Sequence, residues 1–324
     1  MDEARQSDVR NSRWIAGLLV TVCILALFWP LLADRSLAMR DAGHFYHPLL
    51  KWTSEQWLRG SPPLWNPYEN AGMPLLADGS SALFYPGRLV LLLPLDFAWR
   101  FNLYVVGHVV LAAVGAYLLA RHFQASVLAA GVAAMSYACG GSVVFQHSNI
   151  AFLISAAWLP FAAWAIDAML VSRSWRTAVA LGVVLALMIL GGDPQMAYHV
   201  LLMAALYALL LLRHKPEAQA REKSNTRMEA NPSLALRACH SIALIGLAAI
   251  CGFALAAVQI LPLAEAARTS DRAYYKHPRS IYEAAAYVAR GEGDDHRWAG
   301  VARGLFGQPE PTTHHDRLYD FSIA

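Results

Sequence analysis

Charge is scarce in this sequence, cysteine is scarcer, and nucleotide and zinc signatures are missing; each shortage closes off a class of protein. Only 15% of the 324 residues are Asp, Glu, Lys or Arg, against 57% hydrophobic. Soluble domains carry charge at about a quarter of positions, so a soluble globular fold is excluded and a polytopic membrane protein is indicated. The formal net charge of +3 is too small to point to nucleic acid. The four cysteines (Cys23, Cys139, Cys239, Cys251) lie in or beside apolar segments without paired spacing. That pattern fits buried free thiols better than a disulfide framework or a zinc site. No Gly-rich phosphate loop, helical His-Glu-His motif or fixed-period repeat occurs.

What is present is a set of long apolar windows, which predicts an all-α polytopic fold. They cover residues 14–33, 101–120, 127–145, 150–171, 177–192, 196–212 and 241–263, about seven spans in all. The first follows Arg10 and Arg13, but its length of about 20 residues fits a retained span better than a signal peptide. Arg121, Arg173, Arg176 and the basic residues of 213–240 fall in connections on the side of the N-terminus. Positively charged connections stay cytoplasmic, which places the N-terminus inside and residues 34–100 and 264–324 outside. Residues 213–240 read as a solvated cytoplasmic linker. Residues 264–324 contain an amphipathic stretch at 280–290 and end without a final span, so we expect the N-terminal portion of a longer protein.

The outer segment 34–100 is rich in Pro, Gly, Trp and Tyr, too polar to cross a bilayer and too aromatic for a linker. It is expected to fold on the membrane surface as short interfacial helices. Pro48 and Gly60 bracket one of them, with Leu49, Leu50, Trp52, Trp57 and Leu58 turned toward the membrane. Asp41, beside His44 and His47, is either a general base with a raised pKa or a solvated loop acid. Asp34 reads as an ordinary helix-end residue. Trp65 and Tyr68 offer flat stacking surfaces, while Asn66, Glu69, Asn70 and Asp78 offer hydrogen-bonding groups. A second outer turn holds Asp193 and Pro194, an N-cap and first-turn pair, with Gln195 and His199 one turn apart. A helix starting there would aim amides at an anion, or Asp193 simply caps it. His147 lies in a third outer turn. His108, inside a span, is expected to be a neutral imidazole bonded to a neighbouring helix, and Asp167 is given no role.

The order of Asp41, Phe45, Tyr46 and Pro48, then G-x-P-P-L-W-N-P (60–67), A-G-M-P (71–74) and F-Y-P (84–86) resembles bacterial YfhO-type membrane proteins. His147, Ala151, W-L-P-F (158–161) and G-G-D-P-Q (191–195) are similar to that family as well. The resemblance implies a GT-C-class helical bundle with a large first extracytoplasmic loop. It further implies a glycosyltransferase in the bacterial cytoplasmic membrane that takes sugar from a polyprenyl-phosphate carrier and passes it to an envelope polymer, lipid or protein. Asp41 would then be the single base of an inverting transfer, since a phosphate leaving group needs no acid. Arg40, Lys51 or the 193–199 helix start would hold the phosphate. No cofactor beyond the lipid-linked donor and no metal ligand is implied, and a divalent metal stays open. The rival classes are a transporter or flippase and a non-catalytic envelope-assembly scaffold. Polar residues gathered at the outer interface, away from the midplane, count against transport.

Overall fold

A computed structural model describes residues 17, 20–30, 40–69, 72–222 and 234–269. Asp34, Asn70 and the 280–290 stretch lie outside the described residues. The chain divides into two compact units, Met1–Ala264 and Glu265–Ala324, the second described only over the end of its first helix.

The protein is a multi-pass, mostly helical membrane protein. Residues 20–28 form helix α1, whose Ile24 and Phe28 are buried. α2 is His47–Leu58, α3 Phe97–His122, α4 Val127–Ala138, α5 Gly141–Val144 and α6 Ile150–Ser172. α7 is Trp175–Leu190, α8 Pro194–Glu222, α9 Leu234–Leu255 and α10 Ala257–Thr269. Four of these, α3, α6, α8 and α9, contain a stretch long and apolar enough to cross a membrane. α4 and the short helices after it make a fifth, bent by 45°. The bend falls at Cys139–Gly140, where two successive glycines follow an Ala-rich helix and remove the packing that would keep the axis straight. α7 is apolar but has only 16 residues.

Helix ends follow local chemistry. Ser126 and Ser174 cap α4 and α7 by accepting from Ala129 N and Arg176 N. Gln124 and Arg173 turn the chain through positive φ between helices. α8 runs through Glu222 and α9 starts at Leu234, so the segment expected to be a linker is helical at both ends. α9 breaks at Ala256, and the expected last window continues as a separate helix holding Pro262.

α7 sits at the centre, packed against α9, α6 and α8. Its face against α9 is built on glycine. A methyl at Gly182 would lie 2.7 Å from Cys251 Cβ, and one at Gly252 would lie 2.9 Å from Leu185 Cβ. Such close approach lets dispersion contacts hold helices together where lipid removes the hydrophobic incentive.

Residues 40–96 fold into a cap at one end of the bundle. A π-helical turn, Ala42–Tyr46, leads into α2. Two short strands, Trp65–Asn66 and Met73–Pro74, pair antiparallel with Trp65 opposite Pro74. Three 3-10 turns, Leu75–Ala77, Gly79–Ser81 and Pro86–Leu92, then lead to α3. α2 has Pro in its first turn and Gly60 at φ 73 beyond its end, as expected. Its apolar face is not turned to the membrane, however. Leu49 and Leu50 are buried, and Leu49 clusters with Leu75 and Leu83 while Trp52 and Trp57 pack alongside. The helix therefore fastens the cap to itself, and Leu58 alone of the five apolar residues stays exposed.

Candidate functional site

The cap is locked to the bundle by buried polar side chains. Tyr85 lies at the centre of one lock: its hydroxyl is 2.9 Å from His108 Nε2 on α3 and accepts from Trp158 Nε1 on α6 at 2.9 Å. His108 Nδ1 is 2.6 Å from the Tyr104 carbonyl, which can only accept. Nδ1 therefore carries the proton, Nε2 accepts from Tyr85, and the ring is neutral. His108 thus has the neutral state expected of it, but its partner belongs to the cap and not to a neighbouring helix.

A second lock joins the cap to the starts of α6 and α8. Tyr46 donates to Asn149 Oδ1 at 2.9 Å, and the Gly79 carbonyl accepts from Gln259 Nε2 at 2.8 Å. Gly192, at φ 103, lies so close that a methyl there would be 2.9 Å from the Gly79 oxygen. Only glycine tolerates both that φ and that approach. The outer segment 34–100 and the 191–195 turn are therefore in direct contact, through Gly79 and Gly192.

Two carboxylates flank Tyr46, whose phenol is pushed up to about 12 by burial and also feels Asp78 and Asp41. Asp41 is exposed, sits just before the π-helical turn and makes no capping bond. Asp78 caps the next turn through Oδ1, which accepts from Ser80 N at 2.9 Å, while its buried Oδ2 has no partner. Burial raises the Asp78 carboxyl to about 6, working against its bond from Ser80. Gln259, only 3% exposed, likewise leaves Oε1 without a donor.

The other candidates divide clearly. Arg40, at φ 53, supplies the carbonyl that Gly43 and His44 amides bind at 3.0 Å, and His44 is exposed in the turn. Trp65 and Tyr68 are exposed, Tyr68 at 80%, and Tyr68 stands edge-on to Trp52 at 5.9 Å. Asn66 is buried and committed to its own turn: Oδ1 accepts from Tyr68 N, and Nδ2 donates to Glu69 Oε2 at 3.2 Å. Asp193 is buried and accepts from Met196 N at 2.9 Å, the N-cap bond that Asp-Pro predicts. With Gln195, His199 and Gln146 it lines a cavity of about 410 Å³ walled by Tyr137 and Phe152. His147 is half-buried next to Gln146, with Nδ1 2.5 Å from the Val144 carbonyl.

Tyr46, Asn149, Asp78, Gln259 and Arg88 carry more of this end of the bundle than their sequence context conveyed. Gln259 and Arg88 did leave a signal, since each is a lone polar residue within an apolar run. Among the described residues no group of three or more His, Cys, Asp or Glu is arranged to hold a metal.

The fold and these locks define an α-helical membrane protein with an ordered cap at one end of its bundle. No family model, curated protein or solved structure matches the chain.

Proposed function

We propose that this protein is a glycosyltransferase of the bacterial cytoplasmic membrane, using a polyprenyl-phosphate sugar as donor on the extracytoplasmic side. The observation that carries the reading is the accessible Asp41 on a cap locked against the starts of α6 and α8. Asp41 takes the proton of an acceptor hydroxyl as that oxygen attacks the anomeric carbon. The carbon–oxygen bond to phosphate breaks on the opposite face, its electron pair leaves with the phosphate, and the sugar inverts. Phosphate is stable as it leaves, so one carboxylate is enough. Asp41 is preferred over Asp78 because the free oxygen of Asp78 is enclosed. The exposed faces of Trp65 and Tyr68 suit the apolar side of a sugar ring or a prenyl chain. The cavity at Asp193, Gln195 and His199 suits the polar end of the donor or acceptor.

The test is transfer of radiolabel from a polyprenyl-phosphate sugar in membranes containing the protein. Asp41→Asn is expected to lower the rate by about 10² to 10⁴, the range for positioned general-base catalysis. Asp78→Asn is expected to leave most of it. Label that only changes sides of the membrane would replace this reading with transport, and full transfer by Asp41→Asn would remove Asp41 from the mechanism.

A further inference from the structure

The cap and the start of α3 each bury a guanidinium group that no described acid pairs with. Arg88, in the 3-10 segment Pro86–Leu92, is 6% exposed. One of its terminal nitrogens donates to the Ser81 carbonyl at 2.7 Å and the other to the Thr53 hydroxyl on α2. Both partners are uncharged. Arg100, at the start of α3, is also buried; it donates to the Leu91 carbonyl at 2.7 Å, and its Nε has no partner. Among the described residues neither is in an ion pair, whereas His122 pairs with Asp167 at the other end of the bundle. Burial without a counter-charge disfavours the cation and holds the Arg88 pKa down at about 10.

Arg88 lies in the wall of a pocket of about 240 Å³ between α2 and the 83–92 segment. Ser54 and Tyr85 also line it, the Tyr85 hydroxyl being taken by His108 and Trp158, and Trp57, Leu83, Phe84 and Leu89 are among the apolar lining residues. The Leu91 that Arg100 holds by its carbonyl lines it too. The rim is apolar and open, with Leu89 at 68% exposed and Leu58 and Leu93 nearby in sequence also exposed. The pocket is smaller than the usual range for a whole drug-sized ligand, about 300–1,000 Å³. It fits a charged head and its first carbons, with the rest of the chain running out over the rim. A guanidinium has five N–H donors in a fork suited to phosphate oxygens, and two of its three nitrogens are held by neutral groups.

We infer that the Arg88 pocket binds the phosphate head of a membrane lipid, the anion serving as counter-ion to Arg88 and the first part of the tail lying against Trp57, Leu83 and Leu89. This site is separate from Asp41 and does not depend on sugar transfer.

The test uses the full chain in dodecyl maltoside, with thermal unfolding and native mass spectrometry as readouts. Dodecyl phosphate is the probe; dodecanol and inorganic phosphate supply the tail alone and the anion alone. Dodecyl phosphate is expected to bind and raise Tm, with the other two at least tenfold weaker. Arg88→Gln should abolish the shift, but that variant also loses two structural bonds. Ser54→Asp therefore provides the decisive variant, placing a carboxylate in the pocket wall as an internal counter-ion. It is expected to fold with a Tm no lower than the parent and to bind dodecyl phosphate at least tenfold more weakly. Undiminished binding by Ser54→Asp, or equal binding of inorganic phosphate or dodecanol by the parent, would overturn the inference. Retained transfer activity alongside lost dodecyl phosphate binding would separate its fate from that of the proposed function.

Discussion

Two carboxylates, Asp167 at one end of the bundle and Asp78 at the cap end, are satisfied to different degrees. Where α3 and α6 finish, Asp167 is closed on both sides: Oδ2 faces His122 Nε2 at 2.6 Å, and Oδ1 accepts from Tyr207 at 2.6 Å. At the cap end, Asp78 and Gln259 each keep an oxygen without a donor, and Arg88 and Arg100 have no acid. An unmet buried polar group costs about 1–3 kcal/mol and a charge more. The first end is thus complete as a fastener of α3, α6 and α8, whereas the second leaves capacity that a ligand can satisfy. Asp167, a residue given no role in the sequence, has both oxygens hydrogen-bonded between helices.

Removing one partner at the closed end should have the largest effect. Asp167→Ala leaves His122 and Tyr207 facing a void and is expected to cost about 3 kcal/mol, the low end for breaking a buried pair because His122 is partly exposed. Thermal unfolding in detergent reads it, and Asp167→Asn should recover part. At the cap end, Gly192→Val combines a disfavoured φ with a clash against Gly79, about 2 kcal/mol of strain. It should open the 78–81 segment to protease while leaving the α3–α6–α8 end intact; equal loosening of both ends would erase the distinction between them.

Asp78→Asn sharpens the comparison through pH. The folded protein raises this carboxyl from 3.8 to about 6, so it holds the proton more tightly than the unfolded chain does. Its favourable contribution is complete below pH 4 and is lost as pH rises through 6. Asparagine removes that loss, so the variant should match the parent near pH 4 and exceed it at pH 7.5, by up to about 3 kcal/mol. Parallel Tm profiles across that range would show that Asp78 is not held in this way. The smallest effect belongs to Gln259→Leu. It forfeits one bond to Gly79 but removes an unmet oxygen, so a net change under about 1 kcal/mol is expected in the same melts.

Much of the bundle was legible in the sequence because apolar windows report helices directly. Windows 101–120 and 150–171 lie inside α3 and α6, and Asp193–Pro194 announced the start of α8. The window 127–145 hid a 45° bend, although Gly140 and Gly141 stood in plain view. The facing of α2 was not legible. Its apolar stripe is the same whether it meets lipid or protein, and its partners Leu75 and Leu83 come from later in the chain. The Tyr85–His108–Trp158 lock and the Arg88–Thr53 bond span 23, 73 and 35 positions, distances at which spacing carries no signal.

The length of α7 sets where this end of the protein works. Sixteen helical residues rise about 24 Å, against about 30 Å of hydrocarbon. Its last turns, through Leu190, are largely enclosed by protein, so the bilayer has no need to thin around them. Just past the end of α7, Gly79 and Ser80 of the cap pack directly on Gly192. One helix thereby acts as a depth gauge: lengthening α7 by one turn would lift the floor under the cap by about 5.4 Å, with no change to a side chain of the candidate site.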